Sequence, residues 1–359
     1  MASTIHIKNS IFAILIFLCT CTFRSRGGRV HSDESSSSII VKKHEQWMAL
    51  YGRVYKNKEE KIKRQEIFKQ NLEFVERFKN DKERSKSFRV SLNHFSDLTD
   101  EEFVASYTGA LHNEKAQPNI NDDDDIKFGY QNMSLANIES NLDWRDKGAV
   151  NKIKQQGLCE ACWAFSTVAA VEGLIKIKTG KLISLSEQQL VDCVEPNRDG
   201  CSPYDKNKAY VYMQNNVVTT ESNYPYNSQD SGTCNQQIVM NNNNEAIKIK
   251  GYEMIPPNNE EELLKAVANQ PVAVGIDGSE PAFKSYSGGI FTSDYCGKEI
   301  NHAVTIVGYG VENDCSKYWL IRNSWGEFWG EGGYMKLERD IDDPRGSCGI
   351  AMFPAYPVL

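Results

Sequence analysis

The pattern of apolar and polar residues divides the chain into a charged helical part, a polar stretch and a dense globular part. From Ile40 to about Lys79, apolar residues recur at helical spacing in a highly charged sequence, which predicts amphipathic helices. Phe88–Phe95 alternates like a strand, and Thr99 followed by Glu102 is the signature of a helix start. We therefore expect one folded unit over about residues 40–108.

The globular part begins with helical patterns. The first helix starts near Cys162 and ends at about Lys178, where Gly180 can cap its C-terminus. Ser186 is the expected N-cap of a second, short helix, and Tyr210–Asn216 predicts a third.

Strand patterns follow the loop tip expected at Asn241–Asn244. The predicted strands cover residues 246–252, 272–276, 303–309, 318–323 and 333–338. Only Glu260–Asn269 has a helical pattern among them. A helical half followed by a strand-rich half predicts an α+β fold of two lobes, at about 146–245 and 246–350, with a cleft between them.

The N-terminus has the pattern of a secretory signal peptide, expected over residues 1–25. Lys8 precedes the short apolar run Ile11–Leu18, which is too short to span a membrane, and Ser-rich sequence follows. A buried strand is the alternative. We expect a secretory-pathway protein that is not held in a membrane after signal removal. The C-terminal sequence ends without a retention tetrapeptide, so a vacuole or lysosome-like compartment and the extracellular space both stay open.

A polar stretch from Asn113 to Asn137 separates the two folded parts. It contains the acidic run Asp122–Asp125, which is typical of an exposed connection where proteases cut. Asn132 begins an N-glycosylation sequon. The formal net charge of −7, without a basic stripe, argues against a nucleic-acid partner.

Cys162 is a candidate nucleophile. It lies where a Gln- and Gly-containing loop gives way to a helix, and the N-terminal end of a helix favours a thiolate. Cys159 lies three residues upstream, so a disulfide is the alternative interpretation of either cysteine.

A cysteine nucleophile needs a base, a group that orients the base, and donors to an oxyanion. His302, just before a predicted buried strand, is the candidate base, although a lone histidine there is often structural. Asn323 is the candidate orienting residue, with Trp325 placed to shield the Asn–His hydrogen bond from water. Gln156 is the candidate oxyanion donor beside the Cys162 N–H.

The segments around these residues resemble the papain family of cysteine proteases. Gln156 with Cys162-Trp-Ala-Phe-Ser, Asn301-His-Ala-Val and Asn323-Ser-Trp-Gly occur in the family's order. The helical part matches the family's plant-type prosegment through Glu60, Arg64, Phe68, Asn71 and Val75, and through the sequence from Leu92 to Phe103.

The resemblance implies a zymogen with a papain-like two-lobe fold, whose second lobe is an antiparallel, barrel-like sheet. Residues 26–136 would be an inhibitory prosegment that runs backwards through the cleft until acid loosens it, and 137–359 the catalytic domain. The cut that removes the prosegment would lie between Asp125 and Asn141. Substrates would be peptides or proteins, cystatin-type inhibitors would be further partners, and the enzyme would be monomeric, without metal or cofactor.

The resemblance also implies three disulfides, Cys159–Cys201, Cys193–Cys234 and Cys296–Cys348. Cys315 is then the leftover thiol, incidental or available for an intermolecular bridge. The residues expected to bind substrate are Glu160, Ser202, Pro203, Tyr204, Asp205, Lys206, Gly275, Asn301, Ala303, Trp325 and Phe353.

The cleft departs from the family's pattern. Glu160, Pro203 and Tyr204 stand where the family has glycines that let a substrate backbone pair with the wall. We expect Pro203 to remove a donor and Glu160 and Tyr204 to add bulk. Asp205 and Lys206 stand at normally apolar positions of the specificity pocket, and Phe353 would shorten that pocket.

Three functions fit these residues. The first is a protease of narrowed specificity, with Glu160 favouring a basic residue before the cut. The second is an enzyme that uses the same thiolate on a small molecule, and the third is a binding or storage protein. The complete set of Cys162, His302, Asn323 and Gln156 favours catalysis, and the altered wall keeps the second function open.

Overall fold

The structure is a computed structural model, and it describes residues 36–110, 128–195, 197–235, 237–238 and 246–359. The signal peptide predicted at residues 1–25, the acidic run Asp122–Asp125 and the loop tip Asn241–Asn244 lie outside the described residues. Within the described ranges, no helix combines the length and apolar character needed to cross a membrane.

The N-terminal part, which the resemblance identifies as the prosegment, folds as helices α1 (Ser36–Tyr51), α2 (Lys58–Asn80) and α3 (Asp100–Tyr107) with the short strand β1 (Phe88–Val90). Asn57 caps α2 by accepting a hydrogen bond from the N–H of Glu60. The expected capping box of Thr99 and Glu102 is present at the start of α3. Trp47, Phe68 and Leu72 form the small core that joins α1 to α2.

The helical lobe is built on α4 (Cys162–Thr179), α5 (Glu187–Cys193) and α6 (Lys206–Asn215). Gly180 ends α4 in a left-handed conformation, and the Ser186 side chain caps α5, both as expected. Helix α6 begins four residues earlier than predicted because Asp205 caps its N-terminus. The structure contains the three disulfides that the resemblance implies, which join Cys159 to Cys201, Cys193 to Cys234, and Cys296 to Cys348.

The second lobe is an open sheet with two helices. The strands are β2 (Leu142–Asp143), β3 (Gly251–Met254), β4 (Val272–Ile276), β5 (Tyr286–Phe291), β6 (His302–Val311), β7 (Lys317–Arg322), β8 (Tyr334–Glu338) and β9 (Ala355–Val358). The helices are α7 (Glu260–Val267) and α8 (Pro281–Lys284). The strand order is β1-β5-β8-β7-β6-β4-β9-β3, and β2 pairs with β6.

Several details of the second lobe differ from our expectation. The strand order does not close into a barrel, and β5 pairs with β8 in parallel rather than antiparallel. Strands β5 and β9 and helix α8 were not predicted, because glycines interrupt β5 and a proline lies within β9. The strand expected at 246–252 is confined to Gly251–Met254, where β9 supplies its partner.

The prosegment extends the sheet of the second lobe. Strand β1 pairs antiparallel with β5, at the edge of the sheet. Beyond β1, the N–H of Ser91 donates to the carbonyl of Ser285 at 2.8 Å. Phe88 of β1 packs against Phe291 of β5 with ring centroids 4.7 Å apart, so backbone and side-chain contacts hold the strand together.

The chain is also anchored where the described structure resumes at Phe128. The Phe128 side chain is buried in the main core, beside Tyr356. The N–H of Gly129 donates to Oε2 of Glu253 at 2.8 Å and to the hydroxyl of Tyr356 at 3.1 Å. The segment that precedes the catalytic domain is therefore fastened to the β3–β9 side of the second lobe.

Candidate active site

Cys162 is the first residue of α4 and is fully buried. It is a free thiol, since Cys159 is joined to Cys201, and the disulfide alternative for Cys162 is therefore wrong. Helix α4 packs on β6, where the hydroxyl of Thr305 donates to the Ser166 carbonyl at 3.1 Å. This contact holds the start of α4 facing the start of β6, which is His302.

His302 lies in a hydrogen-bonded pair with Asn323. Its Nε2 is 2.8 Å from Oδ1 of Asn323, and the Trp325 ring stacks on the imidazole with centroids 4.5 Å apart. Trp325 is fully buried and covers the pair, as the sequence predicted. Within the described residues, Nδ1 of His302 is buried without a hydrogen-bond partner, so the second ring nitrogen stays available for a proton.

Gln156 is oriented by a residue that the sequence did not indicate. Its Oε1 accepts a 2.6 Å hydrogen bond from the hydroxyl of Ser324, and its backbone N–H donates to the Ser324 carbonyl at 2.8 Å. The side-chain amide therefore directs Nε2 to the carbonyls of Cys159 and Tyr107, at 3.1 and 3.2 Å. Ser324 directly follows Asn323, and this adjacency is the signal that could have identified it.

The prosegment fills the cleft beside these residues. The carbonyl of Tyr107 accepts from Nε1 of Trp325 at 3.0 Å as well as from Gln156. The N–H groups of Gly109 and Ala110 both donate to the carbonyl of Asn301, at 2.8 and 2.9 Å.

Ala110 closes the cleft over the nucleophile. Its side chain forms a small buried cluster with Cys162 and Ala303, against which Ile300 packs. The first described stretch of the prosegment, residues 36–110, therefore ends on the candidate nucleophile itself.

Burial sets the charge state of the candidate pair in this closed form. It raises the pKa of the Cys162 thiol to about 12, although three backbone N–H groups oppose the change. It lowers the pKa of the His302 imidazole to about 4, against the opposing hydrogen bond of Asn323. We expected a poised thiolate from the helix N-terminus, but in the covered cleft desolvation dominates and both groups are neutral.

Tyr204 differs from our expectation that it adds bulk to the cleft. Its backbone N–H donates to the carbonyl of Gly109 at 2.8 Å, so the wall keeps its donor although Pro203 precedes it. Its side chain points away into the helical lobe, edge-on to Trp163 with centroids 5.1 Å apart. The guanidinium of Arg198 lies over the ring, 4.1 Å from its centroid.

Glu160 does narrow the cleft. A Cβ built on Gly109 would lie 2.1 Å from the backbone oxygen of Glu160 and 2.6 Å from its Cβ. Only a residue without a side chain fits there. Burial raises the pKa of the Glu160 carboxyl, with Asp199 adding to the shift and Arg198 opposing it.

Arg198 also braces the wall from behind. Its guanidinium donates to the carbonyls of Ser202 and Pro203, the first at 3.2 Å. Ser202 and Pro203 are half-buried. They contribute to the wall through this braced backbone.

The polar residues expected in the specificity pocket are buried. Asp205 caps α6, and burial lowers the pKa of the Lys206 ammonium to about 8. Lys206 Nζ donates to Asn207 Oδ1 at 2.9 Å. Phe353 is 8 % exposed, and Gly275 lies in β4 opposite Ala303, where a Cβ would be 2.6 Å from Ile300.

The chain belongs to the papain family of cysteine proteases. The profile of the papain family cysteine proteases matches residues 138–358, and that of the cathepsin propeptide inhibitor domain (I29) matches residues 44–103. The chain is therefore a cysteine endopeptidase made as a zymogen, with peptide substrates and its own prosegment as intramolecular inhibitor. It is a secretory-pathway protein.

Two relatives that match over nearly the whole chain are plant proteases. The senescence-specific cysteine protease SAG39 of Oryza sativa subsp. indica is 44% identical over 354 residues, 98% of each chain. Fruit bromelain of Ananas comosus is 43% identical over 347 residues, 96% of this chain and 94% of its own.

Solved proenzyme structures have the same architecture. A recombinant stem bromelain precursor has a TM-score of 0.79 at 38% identity, covering 89% of this chain and 99% of its own. The proform of the ragweed pollen allergen Amb a 11 has a TM-score of 0.78 at 33% identity, covering 91% and 96%. The comparisons give no support to the small-molecule enzyme or to the binding protein.

Proposed function

We propose that Cys162, His302, Asn323 and Gln156 carry out peptide hydrolysis in this enzyme, through a cleft that Glu160 narrows. The observation that supports it best is the pair of His302 Nε2 and Asn323 Oδ1 under Trp325. This pair leaves Nδ1 of His302 without a hydrogen-bond partner within the described structure. The next residue along β6, Ala303, lies in the buried cluster that contains Cys162.

The reaction runs through a thioester. Once the prosegment leaves, the site is wetter and the desolvation that holds both groups neutral is relieved, so the Cys162 proton passes to Nδ1 of His302. The sulfur attacks the peptide carbonyl, and Nε2 of Gln156 with the Cys162 N–H stabilises the oxyanion. His302 then protonates the leaving amine, and water hydrolyses the thioester with His302 as base.

Substrate selection follows the cleft wall. The N–H of Tyr204 and the carbonyl of Asn301 pair with the substrate backbone, as they pair with Gly109 and Ala110. Glu160 excludes side chains at the point where it meets Gly109, and its carboxylate favours a basic residue before the cut. From the resemblance to the family we assign Ala303, Gly275, Asp205, Lys206 and Phe353 to the adjoining pocket, with Ser202, Pro203 and Trp325 at its margins.

An active-site label tests the catalytic assignment. The purified zymogen is activated at acid pH under reducing conditions, then treated with a covalent epoxide and a peptide library. We expect labelling at Cys162, peptide cleavage, and loss of both in Cys162→Ala. The control Cys315→Ala, which removes the exposed free thiol, retains both. Hydrolysis that survives in Cys162→Ala would overturn the assignment, and labelling without cleavage of any peptide would indicate a small-molecule substrate.

The cleavage sites and the glycosylation site are further parts of this proposal. A signal peptide over residues 1–25 is removed first, and the prosegment over 26–136 is then cut between Asp125 and Asn141. Asn132, exposed in a turn, carries a glycan. N-terminal sequencing of the secreted and the acid-activated protein, with glycosidase treatment, tests each of these sites. A mature N-terminus beyond Asn141 would contradict the boundary.

The mature enzyme is a monomer in a vacuole, lysosome-like compartment or the extracellular space, and cystatin-type inhibitors bind its open cleft. The resemblance to the family supports the inhibitor. Size-exclusion chromatography, titration with a cystatin and localisation of a fluorescent fusion test these three statements. A stable dimer, or full activity at saturating cystatin, would contradict them.

A further inference from the structure

Lys284 belongs to the catalytic domain, but the prosegment binds its ammonium group. It ends α8 and is 2 % exposed. Its Nζ lies 2.9 Å from Oδ1 of Asn71, 3.3 Å from the carbonyl of Leu98 and 2.5 Å from Oδ1 of Asp100. An ammonium has three N–H donors, so these three prosegment acceptors use all of them.

The prosegment is itself arranged around this lysine. Asn71 donates its Nδ2 to the carbonyls of Ser96 and Leu98, each at 3.0 Å, and this orientation turns Oδ1 towards Lys284. Asp100 is the first residue of α3, and its carboxylate forms an ion pair with the Lys284 ammonium. Two helices of the prosegment therefore meet on one side chain of the catalytic domain.

The backbone of the same residue is held as well. Nδ2 of Asn93 donates to the Lys284 carbonyl at 2.7 Å, and the adjoining Ser285 carbonyl accepts from Ser91. These backbone bonds continue the pairing of β1 with β5. Strand pairing uses main-chain groups, so it can bind segments of many different sequences. Side-chain contacts are needed to discriminate between those sequences.

We propose that Lys284, on the surface where α8 and the start of β5 bind the prosegment, is a recognition site that selects this chain's own prosegment. The site requires an acidic residue at position 100 and a side-chain carbonyl at position 71. A prosegment without these groups leaves a buried ammonium unpaired, which is a cost large enough to reject it. Recognition at Lys284 is therefore separate from obstruction of the cleft by residues 107–110.

Hydrogen–deuterium exchange of the full-length zymogen tests this recognition site without requiring catalysis. All variants carry Cys162→Ala, so that the chain does not process itself. We expect Lys284→Met and Asp100→Ala each to raise amide exchange in β1 and α3 about tenfold, because each removes a hydrogen bond to a charged group. The matched control Lys336→Met, which breaks an ion pair with Glu312 inside the catalytic domain, leaves both segments unchanged.

The double variant decides whether the two residues act together. If Lys284 and Asp100 recognise each other, the double variant exchanges no faster than the more affected single variant. Exchange within about twofold of the parent in Asp100→Ala, or fully additive effects in the double variant, would overturn the proposal. Unchanged exchange in β7 shows that each variant is folded, and Asp100→Ala still gives an answer if Lys284→Met disturbs α8.

Discussion

Gly109 and Tyr204 are joined by a 2.8 Å hydrogen bond from the Tyr204 N–H to the Gly109 carbonyl. The bond joins the prosegment to the wall of the cleft beside the candidate nucleophile. It also shows how the zymogen is closed, because the prosegment uses the same backbone pairing that we propose for a substrate. The bond forms although Pro203 and Tyr204 replace the two glycines expected at this wall.

Gly109→Ala is expected to weaken the inhibition. The new methyl group would lie 2.1 Å from the Glu160 carbonyl oxygen, so the prosegment must shift out of the cleft. We expect the rate of activation at a given pH to rise about tenfold or more, measured by cleavage of a fluorogenic peptide. Gly251→Ala, where a Cβ meets nothing closer than 3.7 Å, is the control and activates like the wild type. An unchanged rate in Gly109→Ala would show that the close approach to Glu160 is not required.

Glu160→Gly should widen the cleft of the mature enzyme. We expect kcat/KM for ordinary dipeptide substrates to rise about tenfold, since the Glu160 Cβ that crowds Gly109 is removed. Preference for a basic residue before the cut should fall in the same assay. The control Glu261→Gly removes an exposed glutamate of α7 and should change neither value. If Glu160→Gly leaves both unchanged, Glu160 does not determine specificity.

Tyr204→Ala should affect stability through the helical lobe. The ring packs on Trp163 and beneath Arg198, and its loss leaves a cavity in that core. We expect the free energy of unfolding to fall by about 3 kcal/mol, measured by chemical denaturation. Val211→Ala on the exposed side of α6 serves for comparison and should change it by less than about 0.5 kcal/mol. A Tyr204→Ala protein as stable as the wild type would place the ring outside the core.

Acid should loosen the prosegment through buried histidines. Burial, with a smaller contribution from the Arg53 charge, lowers the pKa of His94 in the prosegment to about 4, and that of His302 is also lowered to about 4. A group with a lowered pKa in the docked form takes up a proton on release, so docking weakens as the pH falls from about 6.5 towards 4.

His94→Gln removes one of these protonation steps. We expect its activation midpoint to move to lower pH, measured as activation rate against pH. His44→Gln is a less suitable control because burial also lowers the pKa of His44. Lys63→Gln, which changes an exposed prosegment residue, should leave the midpoint in place. A midpoint that does not move in His94→Gln would exclude this residue from the acid response.

Ser324→Ala should reduce turnover, because Ser324 acts on the reaction through Gln156 and not through a contact with the substrate. The hydroxyl orients Gln156 through its 2.6 Å hydrogen bond, so its loss leaves the oxyanion donor less well placed. We expect kcat to fall about tenfold with KM nearly unchanged, a smaller loss than the roughly hundredfold expected for Gln156→Ala. Ser222→Ala, which removes a hydroxyl that is paired with Thr220 and not with Gln156, should retain full kcat. A loss confined to KM would mean that Ser324 acts on binding instead.

The sequence was sufficient where the controlling interaction is local. The capping box at Thr99, the cap at Ser186 and the glycine after α4 depend on residues within one turn of the helix, and all three were predicted. The sequence motifs also identified the His302–Asn323 pair. Because the pair follows a recurrent order of segments, its geometry could be expected from the family resemblance.

The sequence was insufficient where distant segments compete for one side chain. Whether Tyr204 faces the cleft or the core depends on Trp163 and Arg198, which are brought to it only by the fold. The Ser324–Gln156 bond joins residues 168 positions apart. Likewise, burial keeps Cys162 neutral, and the cluster that buries it contains Ala110 and Ala303, which are distant from α4 in the sequence.

The chain is anchored at two points, at Ala110, which lies on Cys162, and at Phe128, which lies in the core of the second lobe. A single cut between these two anchors leaves both in place and releases nothing by itself. It changes the inhibitor from a tethered one, at an effective concentration of about millimolar or above, into a separate partner. The nicked enzyme would therefore become active on dilution, and its activity would depend on how concentrated it is.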